Sequence, residues 1–155
     1  MRCARRPVGG AGGAVRFWDS SAIVPLVCAE SASTLCRSWL RRDPVMLVWA
    51  LAATEVVSAL ARKRREDALP TAVFAASKRR LGKLEQAWNE VAQYDAVRAR
   101  ARRLLETHPL RAADALHLAA ALVVVEERPT TLEVVTFDGR LAQAAEKEGF
   151  RVLSS

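Results

Sequence analysis

Apolar residues recur along the chain in two rhythms. Runs of four or five mostly apolar residues stand at 15–18 ("VRFW"), 45–49 ("VMLVW"), 133–137 ("EVVTF") and 150–153 ("FRVL"). These predict short β-strands. Between them, apolar positions return every three to four residues, which predicts helices over about 20–28, 31–42, 51–66, 70–90, 95–107, 111–127 and 139–148. Strands alternating with helices imply an α/β protein, a three-layer α/β/α sandwich with a mainly parallel central sheet. No internal repeat or Gly/Ser/Pro-rich linker interrupts the chain beyond residue 14. The expected organisation is a flexible basic leader over 1–14 and a single domain over 15–155.

This topology directs attention to one edge. When helices run antiparallel to the strands they flank, strand carboxyl ends and helix amino ends meet where α/β proteins bind ligands. Asp19 ends the first predicted strand and Asp138 the strand "EVVTFD"; Glu55 and Asp114 lie in the first turns of the helices starting near 51 and 111. Each has an ordinary reading as a cap, a turn residue or an acid favoured by the helix dipole. On the helical wheel Glu55 lies with Ser58 and Arg62, opposite an apolar arc of Ala53, Val56, Val57 and Leu60, a face for solvent or for a wet cleft. Asp114 is harder to explain, because every residue from Ala112 to Val125 except Asp114 and His117 is apolar. A carboxylate on so apolar a helix needs a partner: Arg111, His117, the first-turn amides, or a cation shared with the other acids. Four converging carboxylates repel one another, and a divalent cation relieves that repulsion. Oxygen ligands suit Mg²⁺ or Mn²⁺, and the lack of a His/Cys cluster argues against zinc. Such ions activate water and stabilise charge developing on a phosphodiester.

Charge fits that substrate class without establishing it. The formal net charge is +7, and the three arginines of residues 1–14, unopposed by any acid, leave +4 for the rest. The excess is clustered in "ARKRR" (61–65), "SKRR" (77–80) and "RARARR" (98–103), which read either as solvated helix faces or as polyanion contacts. At 51% hydrophobic and 26% charged the composition is that of a globular domain, and the longest apolar run, "LAAALVVV" at 118–125, is too short to cross a membrane. No secretory signal is read at the amino terminus, so a cytoplasmic location is expected. Cys3, Cys28 and Cys36 form no CxxC pair and read as reduced thiols. His117 reads as a satisfied core residue, His108 as a loop residue, Trp18 and Trp49 as strand core. Trp39 and Trp88 are read on helices, able to line a dimer or partner surface.

"FWDSSAIVPL", "ATEVVSALAR", "LRAADALHLAAAL" and "VVTFDGRLAQAAEKEGF" resemble, in order and spacing, the motifs of PIN-domain ribonucleases, especially the VapC-type toxins of bacterial toxin–antitoxin pairs. The resemblance spans about residues 15–153. It implies an endoribonuclease dependent on Mg²⁺ or Mn²⁺, with Asp19, Glu55 and Asp114 matching the core acidic triad, Asp138 the more variable fourth acid, and Ser20 and Thr136 supporting polar positions. It also implies a homodimer, an RNA substrate and a small cognate antitoxin protein that occupies the groove. The start departs from the pattern, since in the family the first motif lies close to the initiator methionine. Two rival functions remain at this point: a noncatalytic RNA- or partner-binding module, and a PIN nuclease of RNA processing without an antitoxin.

Overall fold

A computed structural model describes residues 15–154; the leader expected over 1–14 lies outside the described residues. Five strands form one fully parallel sheet: β1 (Arg16–Trp18), β2 (Met46–Trp49), β3 (Asn89–Val91), β4 (Glu133–Val135) and β5 (Arg151–Leu153), in the order β3-β2-β1-β4-β5. Arg16 pairs with Met46 on one side and Glu133 on the other, and Leu47 pairs with Asn89. The three-layer sandwich expected from the alternation is therefore the observed architecture.

Period-two alternation along the strands serves both faces. Trp18, Met46, Val48 and Val135 enter one core with α1 (Ser20–Val27), α2 (Ser33–Arg42), α3 (Ala52–Arg65) and α4 (Thr71–Glu85). Phe17, Trp49, Val91 and Val134 enter the other with α5 (Tyr94–Thr107), α6 (Ala112–Val124) and α7 (Gly139–Lys147). This division follows from the strand order. The chain builds outward from β1 to β3, then returns past β1 to add β4 and β5. Crossovers of one hand therefore place their helices on opposite faces before and after the reversal. The reversal leaves a topological switch point between β1 and β4, where the flanking connections part and open a crevice at the strand carboxyl ends.

β3 is absent from the strands expected from sequence, and the helix expected to reach residue 90 ends at Glu85. "NEV" carries one buried residue and two exposed ones. It becomes a strand because β2 offers it an unpaired edge, which local pattern does not reveal. Trp88 precedes β3 rather than lying on a helix, and Trp88 and Trp39 are both 8% exposed. Trp39 stacks on Phe137 at 6.1 Å and Trp88 donates its indole N–H to Glu90 at 3.2 Å, so neither lines an open surface. His108 is also buried, with Nε2 2.6 Å from Glu148 Oε1, and is no simple loop residue. Val57, assigned to the apolar arc of α3, is exposed; Ala52, Val56 and Leu60 form its buried stripe. Cys28 and Cys36 are buried free thiols, and burial raises Cys36 to about 11.

Helix α6 is buried from Ala115 through Leu122 except for half-buried Leu116, as its nearly unbroken apolar sequence requires. Leu122 is 1% exposed in the core beneath α5 and α7. Leu122→Ala is expected to cost about 2–5 kcal/mol in denaturant-induced unfolding, the range for a Leu truncation that leaves a cavity.

Candidate active site

Asp19 follows β1 directly, with its backbone N–H donating to Val135 O at 3.0 Å, and it caps α1. Only 4% of the residue is exposed, so its carboxylate must be satisfied from within. The Oδ2 atom accepts from the Ser21 N–H at 3.2 Å, the Ser21 hydroxyl at 2.5 Å and the Thr136 hydroxyl at 3.0 Å. Oδ1 faces the other way, toward Ser20 Oγ and His117 Nε2, each at 3.5 Å. The sequence posed capping and ligation as alternatives for Asp19. Its two oxygens divide them, one tied to the scaffold and one turned to the crevice.

The scaffold side is a chain of hydroxyls spanning β1 and β4. Thr136 Oγ1, wholly buried, accepts from the Asp138 N–H at 3.0 Å while donating to Asp19. Ser21 Oγ accepts from the Phe137 N–H at 2.9 Å while donating to Asp19. Sequence reading gave Ser20 a supporting role beside Thr136; Ser21, not singled out there, is the serine that holds Asp19 Oδ2. Ser20 Oγ instead donates to Glu55 Oε2 at 3.1 Å. Two adjacent serines are equivalent in sequence until the start of α1 sets which one turns back toward the cap.

Glu55 stands in the first turn of α3 with its side chain 28% exposed, and its Oε1 meets His117 Nε2 at 3.0 Å. His117 lies on α6 at 1% exposure, its ring edge against Phe17. One ligand atom each from Asp19, Glu55 and His117 fall within 4.8 Å of one another. His117 is thus no bystander in the core. To donate to Glu55 it must carry a proton on Nε2, and its Nδ1 has no hydrogen-bond partner among the described residues. Burial pulls its pKa down, but the Glu55 hydrogen bond and the charges of Asp19, Glu55 and Asp114 outweigh that and leave it raised above 6.5. Its spacing of three from Asp114 on one helix was the sequence signal for this placement.

Asp114 and Asp138 lie outside that tight trio but share its field. Asp114 is half-buried in the first turn of α6, where its Oδ2 accepts the Arg111 N–H at 3.4 Å. Its pKa is raised, by burial first and then by the charges of Asp138 and Asp19, against the opposing Arg111 amide and His117. Asp138 caps α7, with Oδ1 accepting from the Arg140 and Leu141 amides at 2.9 Å each. Asp19 and Glu55 therefore stand in close approach, and Asp114 lies near enough to Asp138 and Asp19 to feel their charge. Clustered carboxylate oxygens with a raised acid among them are a donor set suited to a small hard divalent cation. The His117 imidazole stands among these oxygens, its Nε2 3.0 Å from Glu55 Oε1 and 3.5 Å from Asp19 Oδ1.

The chain resembles known proteins in both sequence and fold. The family model described as the PIN domain matches residues 16–147. Two Mycobacterium tuberculosis proteins, Ribonuclease VapC45 and Ribonuclease VapC49, are each 34% identical over 136 residues, 88% of this chain and 92% of the relative. Among solved structures, PAE2754 from Pyrobaculum aerophilum superposes with a TM-score of 0.61 at 21% identity, covering 90% of each chain. FitAcB from Neisseria gonorrhoeae gives 0.62 at 16% identity, over 90% of this chain and 96% of that one. Both share the fold.

A raised carboxyl pKa means that the folded state disfavours the charged form, so at neutral pH the Asp114 charge lowers stability when no cation is present. In chelator, Asp114→Asn is expected to melt at or above the wild-type temperature in a thermal scan at neutral pH. A clear drop would instead make Asp114 a structural cap.

Proposed function

The chain belongs to the PIN-domain family, alongside ribonucleases of the VapC type, and from that premise we propose that it is a metal-dependent endoribonuclease, the toxin of a toxin–antitoxin pair. The observation that carries the reading is the division of labour at Asp19. A carboxylate needed only for capping would not present its second oxygen to a glutamate and a histidine within 4.8 Å.

In this reading Asp19 Oδ1, Glu55, Asp114 and Asp138 hold a divalent cation, Mg²⁺ with Mn²⁺ able to replace it. The bound ion supplies an activated water and stabilises the charge that develops on the scissile phosphodiester. The protein's own part is positioning. Thr136 and Ser21 lock Asp19 through Oδ2, and Ser20 fixes Glu55 through Oε2. His117 holds the other Glu55 oxygen and, being buried, keeps that carboxylate from turning outward. No side chain is required as nucleophile.

Purified protein is expected to cleave structured RNA with Mg²⁺ or Mn²⁺ and to stop in EDTA. Asp19→Asn and Asp114→Asn should each lower the rate by at least ~100-fold, the consequence of losing several kcal/mol of charge stabilisation. Cleavage that survives chelation and both substitutions would rule the mechanism out. RNA binding without any cleavage would favour the noncatalytic module.

The same reading takes in a homodimer and a small cognate antitoxin that covers the acidic crevice, both acting in the cytoplasm. No helix among the described residues is long and apolar enough to cross a membrane. Light scattering of the purified protein should read a dimer mass, and co-expression with a cognate antitoxin protein should yield a complex with suppressed cleavage. A monomer with full activity in the presence of that protein would remove both partners.

A further inference from the structure

Helix α3 begins in the acidic crevice and ends in a field of unpaired cations. Arg62, Arg64 and Arg65 near its carboxyl end are exposed, as are Lys78, Arg79 and Lys83 on α4, which packs beside it. Among the described residues none of the six forms an ion pair. The neighbouring basic residues are engaged, Lys63 with Glu30 and Arg80 with the Val27 carbonyl at 3.0 Å. Glu66, Asp67 and Glu85, the acids at the ends of these helices, take no partner from the group.

Within this field a ring gathers charge. The Arg64 guanidinium and the Lys78 ammonium each lie 5.2 Å from the centroid of Phe74. Two like charges are therefore held within about 10 Å of each other, neither in an ion pair among the described residues. Arg64, Arg65, Phe74 and Ala61 line an open hollow of 310 Å³. Cation–π contact keeps both headgroups at the ring although mutual repulsion would spread them. An anionic occupant relieves that repulsion.

The geometry points to the α3–α4 hairpin as a second, noncatalytic site for RNA, one that grips the sugar–phosphate backbone of a stem through Arg64 and Lys78. Continuity with the crevice argues for RNA over an acidic protein. Arg62 lies two helical turns beyond Glu55 on the same face of α3, and Arg65 stands about 15 Å along the axis from Glu55 at 1.5 Å per residue. A strand leaving the crevice thus meets Arg62 on the Glu55 face, while Arg64, about half a turn round α3 from Glu55, and Lys78 present the adjoining face toward α4 at Phe74. The occupant follows from the ribonuclease reading, and the hairpin sets how tightly structured RNA is held before it is cut.

The test measures binding apart from cleavage. In EDTA, with Asp19→Asn protein, fluorescence anisotropy follows a fluorescein-labelled RNA stem-loop across a salt titration. Removing two phosphate contacts with Arg64→Gln/Lys78→Gln is expected to weaken binding ~10-fold or more and to reduce the slope of log K against log salt by about 1.5. Arg102→Gln/Arg103→Gln makes the same charge change at exposed positions on α5 and should leave both nearly intact. The site is overturned if the hairpin double variant binds as wild type, or if both double variants lose equally and so report only net charge. It is also overturned if the hairpin substitutions abolish capture of poly-glutamate while leaving RNA binding unchanged, which would make the surface one for an acidic protein. A hairpin-dependent RNA complex that never cleaves with Mg²⁺ or Mn²⁺ would fail the ribonuclease reading and leave the binding site standing.

Discussion

A carboxylate buried at the junction of two parallel strands organises this protein. Asp19 is 4% exposed, and a charge so placed costs several kcal/mol unless hydrogen bonds replace its water. Three donors converge on Oδ2, from Ser21 on α1 and Thr136 beyond β4. They exist as a set only because β4 pairs with β1 in a register that places Trp18 opposite Val135. Thr136 and Ser21 in turn accept the Asp138 and Phe137 amides, so the same network shapes the start of α7. Satisfying one oxygen so fully leaves the other oriented and available.

The crevice follows from strand order. A sheet that continued outward from β3 would have offered no reversal beside β1, and Asp19 and Asp138 would have stood on separated strands. Returning past β1 puts the two carboxyl ends side by side and lets α6 descend with Asp114 and His117 toward the same edge. The resulting negative field is visible in Asp114, whose carboxyl pKa is raised by burial and by its acidic neighbours. His117 lies within that field, buried between Glu55 and Asp19.

Helix α3 joins the two charged regions of the molecule. Its first turn carries Glu55 toward the crevice, its middle buries Val56 and Leu60 in the core shared with α1 and α4, and its last turns are basic. Acids at the amino end and arginines at the carboxyl end both agree with the helix dipole, so local stability and the separation of acidic crevice from basic hairpin are served by one sequence pattern.

Periodicity alone determined the alternation of elements, hence the α/β/α class and the edge on which Asp19, Glu55, Asp114 and Asp138 would lie, because side-chain repeats of two and of three to four are local properties. Family motifs supplied their order. What sequence could not show were the relations that depend on packing. β3 became a strand through the free edge of β2, Ser21 took the Asp19 Oδ2 oxygen through the start of α1, and Trp39 and Trp88 were buried, one stacked on Phe137 and the other bonded to Glu90. His117 changed most, from a core residue on an apolar helix to the neighbour of two carboxylates. Its side chain reads the same in any buried helix. Only the register of β1 against β4 and the approach of α3 decide what stands within 3.0 Å of its Nε2.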